Sequence, residues 1–225
     1  ELHAADVADL IQFIAPDARP GLVDAIRGVL NPEVLAELDD DVRGRVVEQL
    51  GASETALALA DLETDEAIEV LETLKAPVRR AVIDSLDADQ RAAVEDGLSY
   101  PGESAGRLMQ REVMTVPEYW NVGQTIDFMR EAGDAADDTQ PAQFYDIFVV
   151  DPAHRPVGAI PLSRLLRTGR PVAVRDIMET EMKVLPVTTD QEDVAFVFRR
   201  RDLVSAPVID DAGRLVGAIT IDDVV

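Results

Sequence analysis

Val216-Gly217-Ala218-Ile219, near the end of the chain, repeats Val157-Gly158-Ala159-Ile160 at a spacing of 59 residues. Val150-Asp151 and Ile209-Asp210 share that spacing, whereas Leu108-Met109 matches Ile177-Met178, and Phe128-Met129-Arg130 matches Val197-Phe198-Arg199, at a spacing of 69. Two constant spacings mark an internal repeat. Their difference means that the first copy carries ten more residues between its helix and its hairpin, and Gly133-Asp134-Ala135-Ala136-Asp137-Asp138-Thr139-Gln140 supplies them. Within each copy, short β-rich runs (Ile147–Val150; Ala206–Ile209 and Val216–Ile219) alternate with helical spacing, and Asp151-Pro152 and Asp210-Asp211-Ala212-Gly213 are turn signals inside hairpins. The unit reads strand, helix, strand, strand, helix, and two such units back to back bury each other's sheets.

Upstream of Tyr100 the rhythm changes. Apolar residues recur at helical spacing: Val7, Leu10, Ile11 and Ile14; Leu22, Val23, Ile26, Val29 and Leu30; Val42, Val46, Val47 and Leu50; Ile68, Leu71 and Leu74; Val78, Val82 and Leu86. Asn31-Pro32 reads as an N-cap followed by proline, Ala76-Pro77 reads similarly, Ser53 and Thr64 are candidate caps, and Asp87 with Gln90 resembles a capping box. Helices this short cannot stand alone and must stack on neighbours, which predicts an α-solenoid-like domain.

The chain has 225 residues, a net charge of −23 and a pI near 4.2. Residues 1–99 hold 23 acids against 8 bases, and residues 100–225 hold 21 against 13. Such a field repels phosphate backbones and anionic headgroups and attracts cations, so neither nucleic acid nor direct lipid insertion is expected. With no cysteine and two histidines, His3 and His154, thiolate chemistry and histidine clusters are excluded. No phosphate-binding glycine loop, dinucleotide fingerprint or Ser/His/Asp set is present, so no enzyme activity is expected. No apolar run approaches the ~18 residues of a membrane span and no signal peptide is visible, which predicts a soluble chain.

The tandem unit, opening near a methionine and closing with Gly217-Ala218-Ile219-Thr220-Ile221-Asp222-Asp223, resembles a CBS-domain pair. The stretch before it, Tyr100-Pro101-Gly102-Glu103-Ser104-Ala105-Gly106-Arg107-Leu108-Met109, continued by Val122-Gly123-Gln124-Thr125-Ile126, resembles the junction of MgtE-type magnesium channels. The resemblance implies a right-handed α-solenoid-like helical domain over 1–99, the junction and first CBS domain over 100–170, and the second CBS domain over 171–225, stopping in its last helix. It further implies the cytosolic portion of a membrane protein at the inner membrane face. Its implied partners are a symmetric homodimer mate bound through the CBS pair and the protein's own transmembrane domain.

Under that resemblance the ligand is Mg²⁺, a hard cation that takes oxygen donors and keeps much of its water. The family places regulatory ions between the helical domain, the CBS pair and a connecting helix. Matched positions here are Asp65 and Glu69, which share a helix face, then Asp223, Asp190, Glu192, Asp202 and Glu33. Read without the family, an acid opening a helix, such as Glu33 or Asp65, is a solvated dipole partner. The alternative reading is an adenine-nucleotide sensor using Thr220 and Asp223. The first copy replaces both, with Pro161 and Arg164, which argues against ATP. Met109, Met129 and Met178 read as core filler. His154 reads as a solvated turn residue, Trp120 as packing, and Arg199-Arg200-Arg201 as a solvated helix end or an ion-pair partner.

Overall fold

The computed structural model describes residues 2–134, 141 and 143–224. The chain divides into two compact units, Glu1–Leu98 and Ser99–Val225.

The first unit is helical: α1 (Ala4–Phe13), α2 (Arg19–Ile26), α3 (Glu33–Glu37), α4 (Asp40–Leu50), α5 (Ala52–Ala60), α6 (Thr64–Thr73), α7 (Ala76–Ser85) and α8 (Ala88–Ser99). Helix α1 packs on α3, α4 on α5 and α6, and α5 on α7. One apolar cluster runs through them, with Ile11, Leu35, Leu38, Val46, Val47, Ile68, Leu71 and Val82 buried. Two members of the expected stripes lie elsewhere: Leu10 is 55% and Val29 83% exposed. Helix α1 buries Ala4, Ala8 and Ile11 instead, because small residues let the helices approach closely on that face.

The caps differ in part from expectation. Pro32, not Asn31, is the N-cap of α3, although Asn31 Oδ1 accepts from Glu33 N at 3.1 Å, and Asp87 Oδ1 accepts from Gln90 N at 2.9 Å. Ser53 lies inside α5, whose N-cap is Gly51 at φ 83°. Thr64 is the buried first residue of α6, and Glu63 caps that helix in a reciprocal box with Glu66. A carboxylate does the hydroxyl's work there and adds the favourable charge at a helix N-terminus.

At the other helix ends a pattern appears that periodicity does not reveal. None of α1–α8 has a basic residue in its own last turn. At the ends of α1, α3, α4 and α7, orphan carbonyls are taken by arginines from elsewhere. Arg19 donates to Ile11 O at 2.8 Å and Gln12 O at 3.1 Å, at the end of α1. Arg27 donates to Gln49 O at 2.6 Å and Leu50 O at 3.2 Å, at the end of α4. Arg43 reaches Ala36 O in α3 at 2.7 Å. Arg91 takes Ile83 O, Asp84 O and Leu86 O at the end of α7 at 3.1, 2.8 and 2.8 Å. Half of the unit's few cations are thus committed to the stack.

The second unit contains two copies of one motif. The first comprises β1 (Thr115–Pro117), α10 (Val122–Asp134), β2 (Asp146–Val150), β3 (Pro156–Pro161) and α11 (Leu162–Arg167), and the second β4 (Leu185–Pro186), α12 (Gln191–Arg201), β5 (Ser205–Ile209), β6 (Leu215–Thr220) and a closing 3-10 turn, Asp222–Val224. A short helix, α9 (Ala105–Leu108), precedes them. The sheets are ordered β1-β2-β3 and β4-β5-β6, each with a parallel and then an antiparallel pair. Asp146 pairs with Pro161 as Ser205 pairs with Thr220, and both hairpins shift register before their last pair, at Val150 and at Ile209. The two sequence spacings are therefore real structural equivalences. Of the stretch assigned to the insertion, residues 135–140 lie outside the described residues. Phe148, Val150, Leu215 and Ala218 form a buried cluster shared by the two sheets. Ser205 Oγ donates to its repeat equivalent Asp146 Oδ2 at 2.6 Å.

The segments that open the copies are exchanged. Gln110 N donates to Ala218 O at 2.9 Å and Ala218 N to Gln110 O at 3.0 Å, while Glu179 and Ala159 make the equivalent pair at 2.8 and 3.0 Å. So the stretch before the first copy lies on the second sheet, and the stretch before the second lies on the first. This exchange explains the glycine of the repeated motif. A Cβ on Gly217 would stand 2.6 Å from Gln110 O and 2.7 Å from Met109 Sδ, and one on Gly158 would stand 2.8 Å from Met178 Sδ. The methionine and the glycine, far apart in sequence, are one contact repeated twice. Trp120 packs edge-on against Phe128 with ring centroids 5.4 Å apart, and His154 is an exposed turn residue at φ 60°.

Candidate metal centre

In the helical unit, α6 carries Asp65 and Glu69 one turn apart. The reciprocal Glu63–Glu66 box fixes where the helix starts, so both side chains have a defined place on its first two turns. Asp65 is half-buried and Glu69 exposed. Glu69 is held from below: Arg43, 3% exposed, reaches its Oε1 at 3.1 Å. The same guanidinium approaches Thr73 Oγ1 at 3.4 Å and Asp40 Oδ1 at 3.6 Å. Arg43 was absent from the sequence candidates. A signal for it existed, since positions 43, 46, 47 and 50 form one helical stripe and three of them are apolar. A charged residue on a buried stripe must find partners there. Glu33 sits on α3 with its Oε2 accepting from Asn31 Nδ2 at 3.2 Å.

In the second unit, Asp190 is the N-cap of α12, accepting from Glu192 N at 2.8 Å. Glu192 follows in the first turn, where a negative charge is favourable. Asp202 closes the same helix in the left-handed conformation, φ 50°. With the whole of α12 between them, Asp202 stands about 18 Å from Asp190 at 1.5 Å per residue, so one ion cannot touch both. Arg199, Arg200 and Arg201 fill the last turn of α12, where cations suit the dipole, and Arg200 stacks over Phe196 at 5.7 Å. Asp223, in the closing 3-10 turn, accepts from Thr220 N at 2.7 Å and Thr220 Oγ1 at 2.9 Å through Oδ2.

Among the described residues no three acids or histidines come close enough to form a closed metal cage. What each unit offers is all-oxygen donors, singly or in pairs. That set fits Mg²⁺, which binds through one or two carboxylates and retains several waters, and fits poorly a cation that wants a full protein cage.

The nucleotide pair has a different appearance. Thr220 and Asp223 are bonded to each other. In the first copy Pro161 ends β3, and Arg164 pairs with Glu179 at 2.6 Å and donates to Ile177 O at 3.1 Å. A crevice between the copies, bordered by Gln110, Tyr145, Phe148, Ser205 and Thr220, has about 20 Å³, room for a water molecule and far short of a nucleotide pocket. Of the groups with displaced titration in this unit, Asp210 is held below the usual carboxylate range by hydrogen bonds from the backbone and side chain of Arg214. Tyr100 is pushed up by burial and then by the charges of Asp210 and Asp211. Both belong to the second hairpin and its surroundings.

Comparison with known proteins gives these features a family. The chain matches the MgtE intracellular N domain over residues 2–103 and the CBS domain over residues 105–170 and 174–225. It is a CBS-pair protein with a helical N-terminal domain, a regulatory class in which neither part is an enzyme fold. It is 24% identical over 193 residues to the magnesium transporter MgtE of Bacillus subtilis, 86% of this chain and 42% of that protein. It is 35% identical over 133 residues to the MgtE of Thermus thermophilus, 59% of this chain and 28% of that one. The chain thus spans less than half the length of these transporters. Among solved structures it resembles the cytosolic domain of the Mg²⁺ channel MgtE in complex with ATP, with 29% identity, a TM-score of 0.89, and coverage of 100% of this chain and 90% of that one. It also resembles the soluble part of a magnesium transporter, at 25% identity and a TM-score of 0.83, covering 99% of this chain and 86% of that one. The chain belongs to the MgtE family and corresponds to its cytosolic region.

Proposed function

We propose that this region lies at the cytoplasmic face of the membrane, senses Mg²⁺, and gates the membrane-spanning part of its own transporter, closing it when internal Mg²⁺ is high. The observation that carries the reading is Asp65 and Glu69 one turn apart on α6, in a chain whose relatives are magnesium transporters. Asp65, Glu69, Asp190, Glu192, Asp202, Asp223 and Glu33 would supply carboxylates to regulatory ions, Asp190 and Asp202 to different ones. Both units carry a net negative charge, and like charges ~4 Å apart repel by about 4 kcal/mol at an effective dielectric of ~20. Divalent cations supply neutralising charge. Carboxylates so neutralised cease to drive the units apart, and linkage turns cation concentration into a change of conformational population. In the full protein the region works as a homodimer joined through the CBS pairs.

Calorimetric titration with Mg²⁺ tests this. Asp65→Asn and Glu69→Gln should each weaken binding about tenfold, the loss of one carboxylate from a two-carboxylate site, or 1.4 kcal/mol. Unaltered binding in both variants would remove α6 from the sensor.

A second reading, ATP binding at Thr220 and Asp223, draws support from the ATP-bound relative. The mutual bonding of those residues and the Pro161 and Arg164 replacements weigh against it. Calorimetry with ATP and AMP, with and without Mg²⁺, separates the two: Mg²⁺-independent nucleotide binding would favour the second.

A further inference from the structure

We propose that Arg43 is a built-in competitor of the cation at Glu69, a positioning residue whose buried guanidinium holds that carboxylate and lowers the affinity of α6 for a divalent ion. The inference rests on the reading of Asp65 and Glu69 as sensor acids. Arg43 is 3% exposed, so its charge is desolvated and must be paired. Of the two carboxylates within reach, Glu69 Oε1 at 3.1 Å is closer than Asp40 Oδ1 at 3.6 Å. The bond to Ala36 O at 2.7 Å anchors the guanidinium to the end of α3, so it cannot swing away as a surface lysine would. Drawing Glu69 to a divalent cation either strips Arg43 of its nearest counter-charge or sets three positive charges around one carboxylate. Both oppose binding. Arg43 also holds Glu69 in place, which favours binding. That gain is one side chain's rotamer freedom, and the opposing charge outweighs it because a buried guanidinium is little screened by salt.

The test is Mg²⁺ calorimetry on the whole 225-residue chain. Arg43→Gln removes the charge while keeping a donor for Ala36 O, and should bind Mg²⁺ about tenfold more tightly. Arg43→Lys keeps a competing charge and should stay within about twofold of the parent. In the Arg43→Gln/Glu69→Gln double variant the gain should vanish. Equal or weaker binding by Arg43→Gln, with Glu69→Gln still weakening the parent, overturns the competition and spares the sensor reading. Parent-like binding by Glu69→Gln and Asp65→Asn overturns both. Should the Arg43 variants not fold, the parent chain decides by NMR. The Arg43 side-chain N–H signals should move along the same Mg²⁺ titration as the Glu69 carboxyl carbon, and Arg43 signals that stay still while Glu69 responds overturn the proposal.

Discussion

The two units handle charge in opposite ways. The helical unit has few cations and places them in its framework: Arg19, Arg27, Arg43 and Arg91 close helix ends that lack basic residues of their own. Its excess acids are left outside. The repeat unit relies on it less, because its two copies are joined by main-chain pairing and by the same methionine-on-glycine contact made twice. Some of its charges serve local turns, as where Asp151 and Asp210 each accept two backbone N–H groups in equivalent hairpins, and others, such as Arg164 with Glu179, pair across the copies. One body is joined by main-chain pairing; in the other, arginines donating to main-chain carbonyls close helix ends around an apolar core. The acids left outside the helical framework are expected to respond to a cation, and Asp190, Glu192, Asp202 and Asp223 in the repeat unit are expected to do so as well.

Five perturbations bear on that contrast. The largest effect is expected from Gly217→Val, whose Cβ has a backbone oxygen at 2.6 Å. Overpacking against backbone should cost about 3 kcal/mol. Trp120, the single tryptophan, lies in the repeat unit, so its fluorescence in urea reads that unit alone. Gly158→Val should cost less, since its nearest backbone oxygen is at 3.1 Å. Equal costs would mean that the exchanged segments are not held as described.

Arg91→Met comes next. It strips three carbonyls at the end of α7 of their donor and should destabilise the helical unit by about 2 kcal/mol, in the range for charged hydrogen bonds. Far-UV circular dichroism should show the loss while the Trp120 transition stays put. A shift of both transitions together would break the contrast.

Smaller still is the effect of metal removal. Mg²⁺ at ten times its dissociation constant should stabilise the binding unit by about 1.4 kcal/mol, and chelation should abolish this in the helical transition first. The smallest effect is on acid stability. The folded-state carboxyl of Asp210 lies below its unfolded value, near 3.9, so its contribution is present above that value and fades as pH falls through the folded one. Asp210→Asn should flatten that part of the Trp120-reported profile and leave the helical transition unchanged.

The sequence showed the repeat plainly, because a register that recurs twice leaves two constant spacings. It did not show that Ser104–Gln110 and Ala173–Glu179 change places, since the exchange preserves every spacing. Helical type before Tyr100 was legible from periodicity, whose five stripes fall on α1, α2, α4, α6 and α7, while α3, α5 and α8 carry no such stripe. Ser53 and Thr64 misled because glycine and glutamate can take a cap position that serine or threonine also fills. The candidate acids came from the family pattern, and their surroundings did not. Arg43 beneath Glu69, Thr220 bonded to Asp223, and the full length of α12 between Asp190 and Asp202 are three-dimensional facts, although a lone arginine on the stripe of α4 was a clue.

The most direct test is small-angle scattering of this chain in chelator and in about 10 mM Mg²⁺. If carboxylate repulsion relieved by cations governs how the units associate, the radius of gyration falls on adding Mg²⁺ and the fall is reduced in Asp65→Asn/Glu69→Gln. A radius identical in both solutions contradicts the account.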